Sequence, residues 1–218
     1  MFKKAAAALV FAAFITGVAH ADQALDQRLS ALAHAWDHAQ FEVPANSARL
    51  AALQQLDGEA DALVRQNPTA AEPLVWQAII LSSEAGAEGG LGALGKVTRA
   101  RDLLLHAEHM NGNALGDGSV YSSLGSLYCQ VPGFPIGFGD RARALGYLNR
   151  ALQLNPGGIE PNYFMADCLI RGNDYVHAAE FLRRAEAAPA RVGREAADAG
   201  RRRDVATLMA TVRAHTAH

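Results

Sequence analysis

The chain has little of what usually advertises a chemistry. Two cysteines in 218 residues exclude a disulfide-dense scaffold and a zinc site built from several thiolates. There is no excess of basic charge, the formal net charge being -2, so the electrostatic footprint of a nucleic-acid binder is absent. Aromatics make up 7% and apolar–polar alternation is nowhere sustained, which argues against a sheet. Beyond residue 21 the most apolar stretch, Leu74 to Leu81, is far shorter than the roughly 20 residues that cross a bilayer. What remains is half hydrophobic, at 50%, and dominated by alanine, the composition of closely packed helices.

The N-terminus follows the pattern of a secretory signal. Lys3 and Lys4 precede an uncharged run over residues 5–18, and Ala19-His20-Ala21 places small residues where a signal peptidase reads. The expected product begins at Asp22, carries a net charge of -4 after loss of the two lysines, and is periplasmic. No cysteine sits at the cleavage point, so neither a lipid anchor nor another stable membrane anchor is expected.

Helix breakers divide the rest. Asn67-Pro68, Asn111-Gly112, Asn155-Pro156 and Pro189 each close an apolar-periodic stretch. Tyr121, Leu124, Gly125 and Tyr128 follow W-x2-L-G-x2-Y with Tyr in place of Trp, and Ala144, Leu148, Ala151 and Pro156 supply a second helix and its stop. Ala178, Leu182 and Ala185 each lie 34 residues after Ala144, Leu148 and Ala151. Ala100, Leu104 and Ala107 repeat the same spacing upstream. Gly125 and Ala144 are small enough to let antiparallel helices approach closely.

This pattern resembles the tetratricopeptide repeat (TPR), over roughly Leu74 to Pro189. The resemblance implies an all-α, right-handed TPR-like α-solenoid of antiparallel helix pairs with terminal cap helices. The expected division is a signal peptide over 1–21, N-terminal helices and a degenerate repeat over 22–72, the repeat array over 73–190, and a C-terminal cap helix and tail over 191–218. More loosely, EAGAEGGLGALGK (84–96), VPGFPIGFGD (131–140) and NPGGIEPNYF (155–164) are similar to exported TPR proteins of Gram-negative bacteria, including the T-component of TRAP-type solute transporters.

Two insertions, 86–95 and 131–139, fall at equivalent points of adjacent units, where they would project from one edge of the stack, often the binding edge. The first is rich in glycine. The second, with Phe134, Pro135, Ile136 and Phe138, is stiff and apolar, and is either a contact surface or a plug folded between units. Ser122, Asn162 and Tyr163, with Glu84 and Gln130 nearer the loops, project onto the concave groove.

Other motifs lead nowhere definite. GLGALGK at 90–96 begins like a phosphate-binding loop, but Val97 occupies the Ser/Thr position and no strand precedes it. His34 and His38, and His106 and His109, pair on helix faces near Asp37 and Glu108, too far apart in a linear stack to give zinc its ligands. Arg201, Arg202 and Arg203 read as a solvated helix face, and Glu160, Asp167 and Asp174 as surface carboxylates. Cys129 and Cys168 are either a disulfide or two small buried residues. The function expected is therefore protein–protein interaction by an exported module without catalytic, cofactor or metal residues. Its protein partner is unnamed, and homo-oligomerisation stays open. A transporter accessory and a metal-dependent enzyme using His106, Glu108 and His109 are the rival readings.

Overall fold

A computed structural model describes residues 6–90 and 92–216, with side chains from Gln23 onward. The side chains that make up the export signal, and His218, lie outside the described residues. The described chain is a succession of helices: α1 Ala6–Phe41, α2 Asn46–Gln66, α3 Glu72–Glu88, α4 Gly92–Asn111, α5 Ser119–Gln130, α6 Arg141–Leu154, α7 Ile159–Arg171, α8 Tyr175–Glu186 and α9 Glu195–Thr216. No strand occurs among the described residues, and the architecture is an all-α solenoid. None of the described helices is long and apolar enough to cross a membrane.

Local chemistry fixes the repeat. Asp140 and Asp174, 34 residues apart, cap α6 and α8 by accepting hydrogen bonds from the backbone amides of Arg143 (3.0 Å) and His177 (3.2 Å), which satisfies donors a helix start leaves unpaired. Each second helix then turns the same three positions inward. Ala100, Leu104 and Ala107 on α4, Ala144, Leu148 and Ala151 on α6, and Ala178, Leu182 and Ala185 on α8 are all fully buried. Facing them, Gly125 has no room for a side chain: a Cβ there would lie 2.5 Å from Leu148 Cγ and 3.1 Å from the carbonyl oxygen of Ala144.

The helices pair as α3 with α4, α5 with α6, and α7 with α8, while α2 packs on α3 and α9 on α8. One continuous core runs through these units, and a second, centred on Leu32, Trp36, Leu53, Leu63, Trp76 and Ile80, joins α1 to α2 and α3.

Three expectations need correction. The insertion at 86–95 is mostly helical: α3 runs through Glu88 and α4 starts at Gly92. Gly89 and Gly90, with φ of 68° and 64°, reverse the chain where other residues would be strained. Lys96 then ties the two helices by pairing with the buried Glu84 (2.7 Å) and with Glu88. The stack is also not linear, because α1 meets α9. Asp37, buried on α1, accepts two hydrogen bonds from Arg194, at 2.6 and 2.7 Å. Arg203 donates to the Phe41 carbonyl, and Gly200 lies against the Phe41 ring. Finally, Arg201 and Arg202 are not a solvated face. Arg202 binds the carbonyls of Glu186 and Ala188 at the end of α8, and the Arg201 side chain is only 11% exposed.

Candidate functional site

Because the end of α1 meets α9, the concave side of the solenoid becomes a cavity of about 720 Å³. Three first helices form its floor. Helix α5 presents Ser119, Ser122, Ser123, Ser126 and Gln130 at intervals of three, four, seven and eleven residues, one face of a helix. Trp76, Ile79 and Ser83 on α3 and Tyr163 and Phe164 on α7 flank that row. Trp36 on α1 and Arg201 on α9 form the far wall. Trp36 and Trp76 meet edge to face at 6.0 Å, and the Trp36 indole donates to the Ser83 hydroxyl at 2.9 Å.

Three arginines of the wall are matched locally. Arg191 bonds both carboxylate oxygens of Glu160 (2.9 and 3.0 Å) and pairs with Asp198. Burial opposes its charge, but Glu160 and Asp198 outweigh that and raise its pKa above the usual arginine value. Arg194 is held by Asp37. Arg201 pairs with Asp204 at 3.0 Å and lies over three rings, 4.4 Å from Tyr163, 5.2 Å from Phe164 and 5.5 Å from Phe41, a set of cation–π contacts. Burial pushes the Tyr163 phenol up from its ordinary pKa, so it stays protonated and neutral near pH 7.

The residues named from sequence separate into three groups. Ser122, Tyr163 and Gln130 line the cavity. Asn162 and Glu84 do not: Asn162 is 0% exposed and donates to the carbonyls of Pro156 and Gly158, fastening the start of α7, while Glu84 is buried against Lys96. The 131–139 loop divides. Phe138 folds back, its ring 5.3 Å from that of Tyr128 with Arg101 4.5 Å above it. Phe134 is 94% exposed and Ile136 65%; Pro135 is exposed beside them, and Ile136 sits on the cavity rim. The loop is thus packed inward at Phe138 and solvent-exposed at Phe134, Pro135 and Ile136.

Cys129 and Cys168 form a disulfide that ties α5 to α7, with Cα atoms 5.8 Å apart. The carboxylates taken as surface groups are structural: Glu160 holds Arg191, Asp167 accepts from Gln130 and Arg171, and Asp174 caps α8. His106 and His109 are exposed on α4, and Glu108 accepts a hydrogen bond from Tyr147 at 3.4 Å. Among the described residues no three His, Cys, Asp or Glu side chains converge as metal ligands would.

Sequence reasoning missed Trp36, Trp76, Arg191, Arg194 and Arg201. The tryptophans are the chain's only two, and their isolation amid alanine was the available signal. The arginines had none, since Arg194 meets Asp37 across 157 residues.

The tetratricopeptide repeat family profile matches residues 136–210, from the exposed loop through α6, α7 and α8 into α9. Comparison with curated proteins finds no match. The matched segment carries the repeat register described above, and TPR units generally mediate interactions between proteins.

Proposed function

We propose that the protein is an exported, non-enzymatic interaction module working in the periplasm, and that its partner docks at the rim of the concave face. The observation that carries this reading is the loop at 131–139, where Phe134 and Ile136 stand exposed on either side of Pro135 and Ile136 lines the mouth of the cavity. A fixed apolar projection next to a concave surface is the form a partner site takes. Phe134 serves as the anchor, Pro135 and Ile136 extend it, and Ser122 and Tyr163 lie on the floor behind. The TPR match supports interaction between proteins as the class, and the signal-like N-terminus supports export. The partner is a protein with a complementary apolar patch; a second copy of this chain would be the symmetric case. The test compares capture from periplasmic extract by the wild-type protein and by Phe134→Ser. The variant should keep its melting temperature and lose the bands the wild type retains. Identical captured proteins would overturn the reading.

A second reading draws on the cavity itself. Its volume of about 720 Å³ lies within the range of small-molecule sites, about 300–1,000 Å³. That favours an accessory, T-component-like subunit of a periplasmic solute transport system. Co-purification of a transporter permease and a solute receptor with the tagged protein would support it; their absence from a crosslinked membrane fraction would count against it.

A further inference from the structure

We infer that the concave cavity is a binding site for one small, uncharged, amphipathic molecule, independent of any partner held at the rim. Three observations converge on that ligand class.

The first is enclosure. A solenoid groove that accepts an extended chain is open at both ends. Here α1 and α9 meet across the concave side, fastened by the Arg194–Asp37 pair. The space they bound is a half-open pocket of about 720 Å³, the size of a pocket for a single small molecule.

The second is charge. Arg191, Arg194 and Arg201 border the chamber, yet each is already neutralised, by Glu160 with Asp198, by Asp37 and by Asp204. The remaining arginine of the wall, Arg49, donates its Nε and Nη2 to the Val43 carbonyl, and the Asp117 carboxylate, also in the wall, accepts from the backbone amide of Ser119. A charged ligand seeking Arg191, Arg194 or Arg201 would lose its hydration and have to displace a carboxylate already in place, a costly exchange.

The third is the arrangement of polar and apolar groups. Trp36, Trp76 and Phe164 line one side, with Arg194 over the Trp76 ring and Arg201 over the Phe164 ring. Ser119, Ser123 and Ser126 on α5 line the other and are half-exposed. The Ser126 hydroxyl accepts from Gln130, which leaves its own O–H to donate. A row of hydroxyls that both donate and accept, facing aromatic rings, suits a molecule with a ring or acyl body and an edge of hydroxyl, carbonyl or amide groups. Hydroxyls fix orientation in such pockets, and apolar contact supplies most of the affinity.

The test uses two fluorescent probes that share an aromatic body and differ in charge: neutral N-phenyl-1-naphthylamine and anionic 1-anilinonaphthalene-8-sulfonate. Titrated into the purified protein, the neutral probe should brighten and saturate at one per chain, and the anionic probe should bind at least tenfold more weakly. Ser123→Trp, which fills the chamber from its floor, should reduce affinity for the neutral probe at least tenfold. Ser126→Trp provides a second block should the first variant melt early. Phe134→Ser should bind the probe like the wild type, which separates this site from the proposed partner site. Absence of saturable binding would overturn the inference. So would tighter binding of the anion, which would mark a cation site, or undiminished binding in both tryptophan variants, which would place the probe elsewhere. Loss of binding in Phe134→Ser would also overturn it, by assigning the probe to the rim.

Discussion

The N-terminal helices and the repeat array solve the same packing problem with different residues. In the array, alanine and leucine recur at fixed intervals, and the contact is close because the residues are small: Gly125 and Ala144 face one another with Leu148 filling the gap. In α1 to α3 the spacing is irregular and the volume is large, with Trp36 and Trp76 edge to face above Leu53 and Leu63. The array is a repeated shape, so each unit recognises its neighbour. The N-terminal region is a single fitted piece, and its tryptophans reach past the core to the cavity. A repeat supplies the scaffold and the cavity floor, and the non-repeating ends supply the far wall.

The disulfide sharpens this contrast most. Cys129 and Cys168 close a 39-residue separation inside the array, and no second bridge exists because the chain has only these two cysteines. Cys129→Ala with Cys168→Ala should lower stability by about 4 kcal/mol, from the added freedom of the unfolded chain. Chemical denaturation of the double variant, compared with the oxidised wild type, gives the value. An unchanged midpoint would mean that the array does not depend on the bridge.

Next in size is Gly125→Leu, expected to cost about 3 kcal/mol by overpacking against Leu148 and the Ala144 carbonyl. Thermal melts check it; a variant matching the parent would mean that the close approach of α5 and α6 is not what holds the pair.

How much of this was legible in the sequence follows from the range of the interactions. The array's helices, the small-residue contacts and the Ala-Leu-Ala register were legible because they rest on residues three, four or 34 apart. The closure of the ring was not. It depends on Arg194 reaching Asp37 and on Arg201 lying over Phe41, Tyr163 and Phe164, contacts with no local pattern. Asn162 was misplaced for a related reason. Helical periodicity gives the face of a helix, but Asn162 lies in the first turn of α7, where its amide bonds backbone carbonyls rather than pointing into the groove. The loop at 131–139 was half legible: its stiffness and apolarity are local, but which ring turns inward depends on Tyr128 and Arg101.

That loop supplies the third prediction, a contrast between two phenylalanines four residues apart. Phe138→Ser removes a ring packed on Tyr128 and under Arg101, and should cost about 2 kcal/mol, less than a fully buried ring would. Phe134→Ser removes a ring that is 94% exposed and should leave the melting temperature within error. Equal losses in the two variants would mean that Phe134 is covered in solution, which would turn attention to a second copy of the chain.

The smallest effect asks whether the two regions unfold together. Gly58 in α2 and Gly146 in α6 are both exposed in the interiors of helices, and a Cβ at either meets nothing within 4 Å. Replacing a glycine by alanine in that setting should stabilise by about 0.5–1 kcal/mol, because alanine has less backbone freedom to lose. The gain is local in origin, so its readout depends on how folding is coupled. Helix α3 contributes Trp76 and Ile80 to the N-terminal core and Val75, Ala78 and Leu81 to the core of the array, so one helix cannot leave either core without exposing the other. Both substitutions should therefore raise the same single transition by similar amounts in calorimetry. If Gly58→Ala shifts only an early transition and Gly146→Ala only a late one, α3 does not couple the cores. The chamber's far wall, including Trp36, would then open before the array melts.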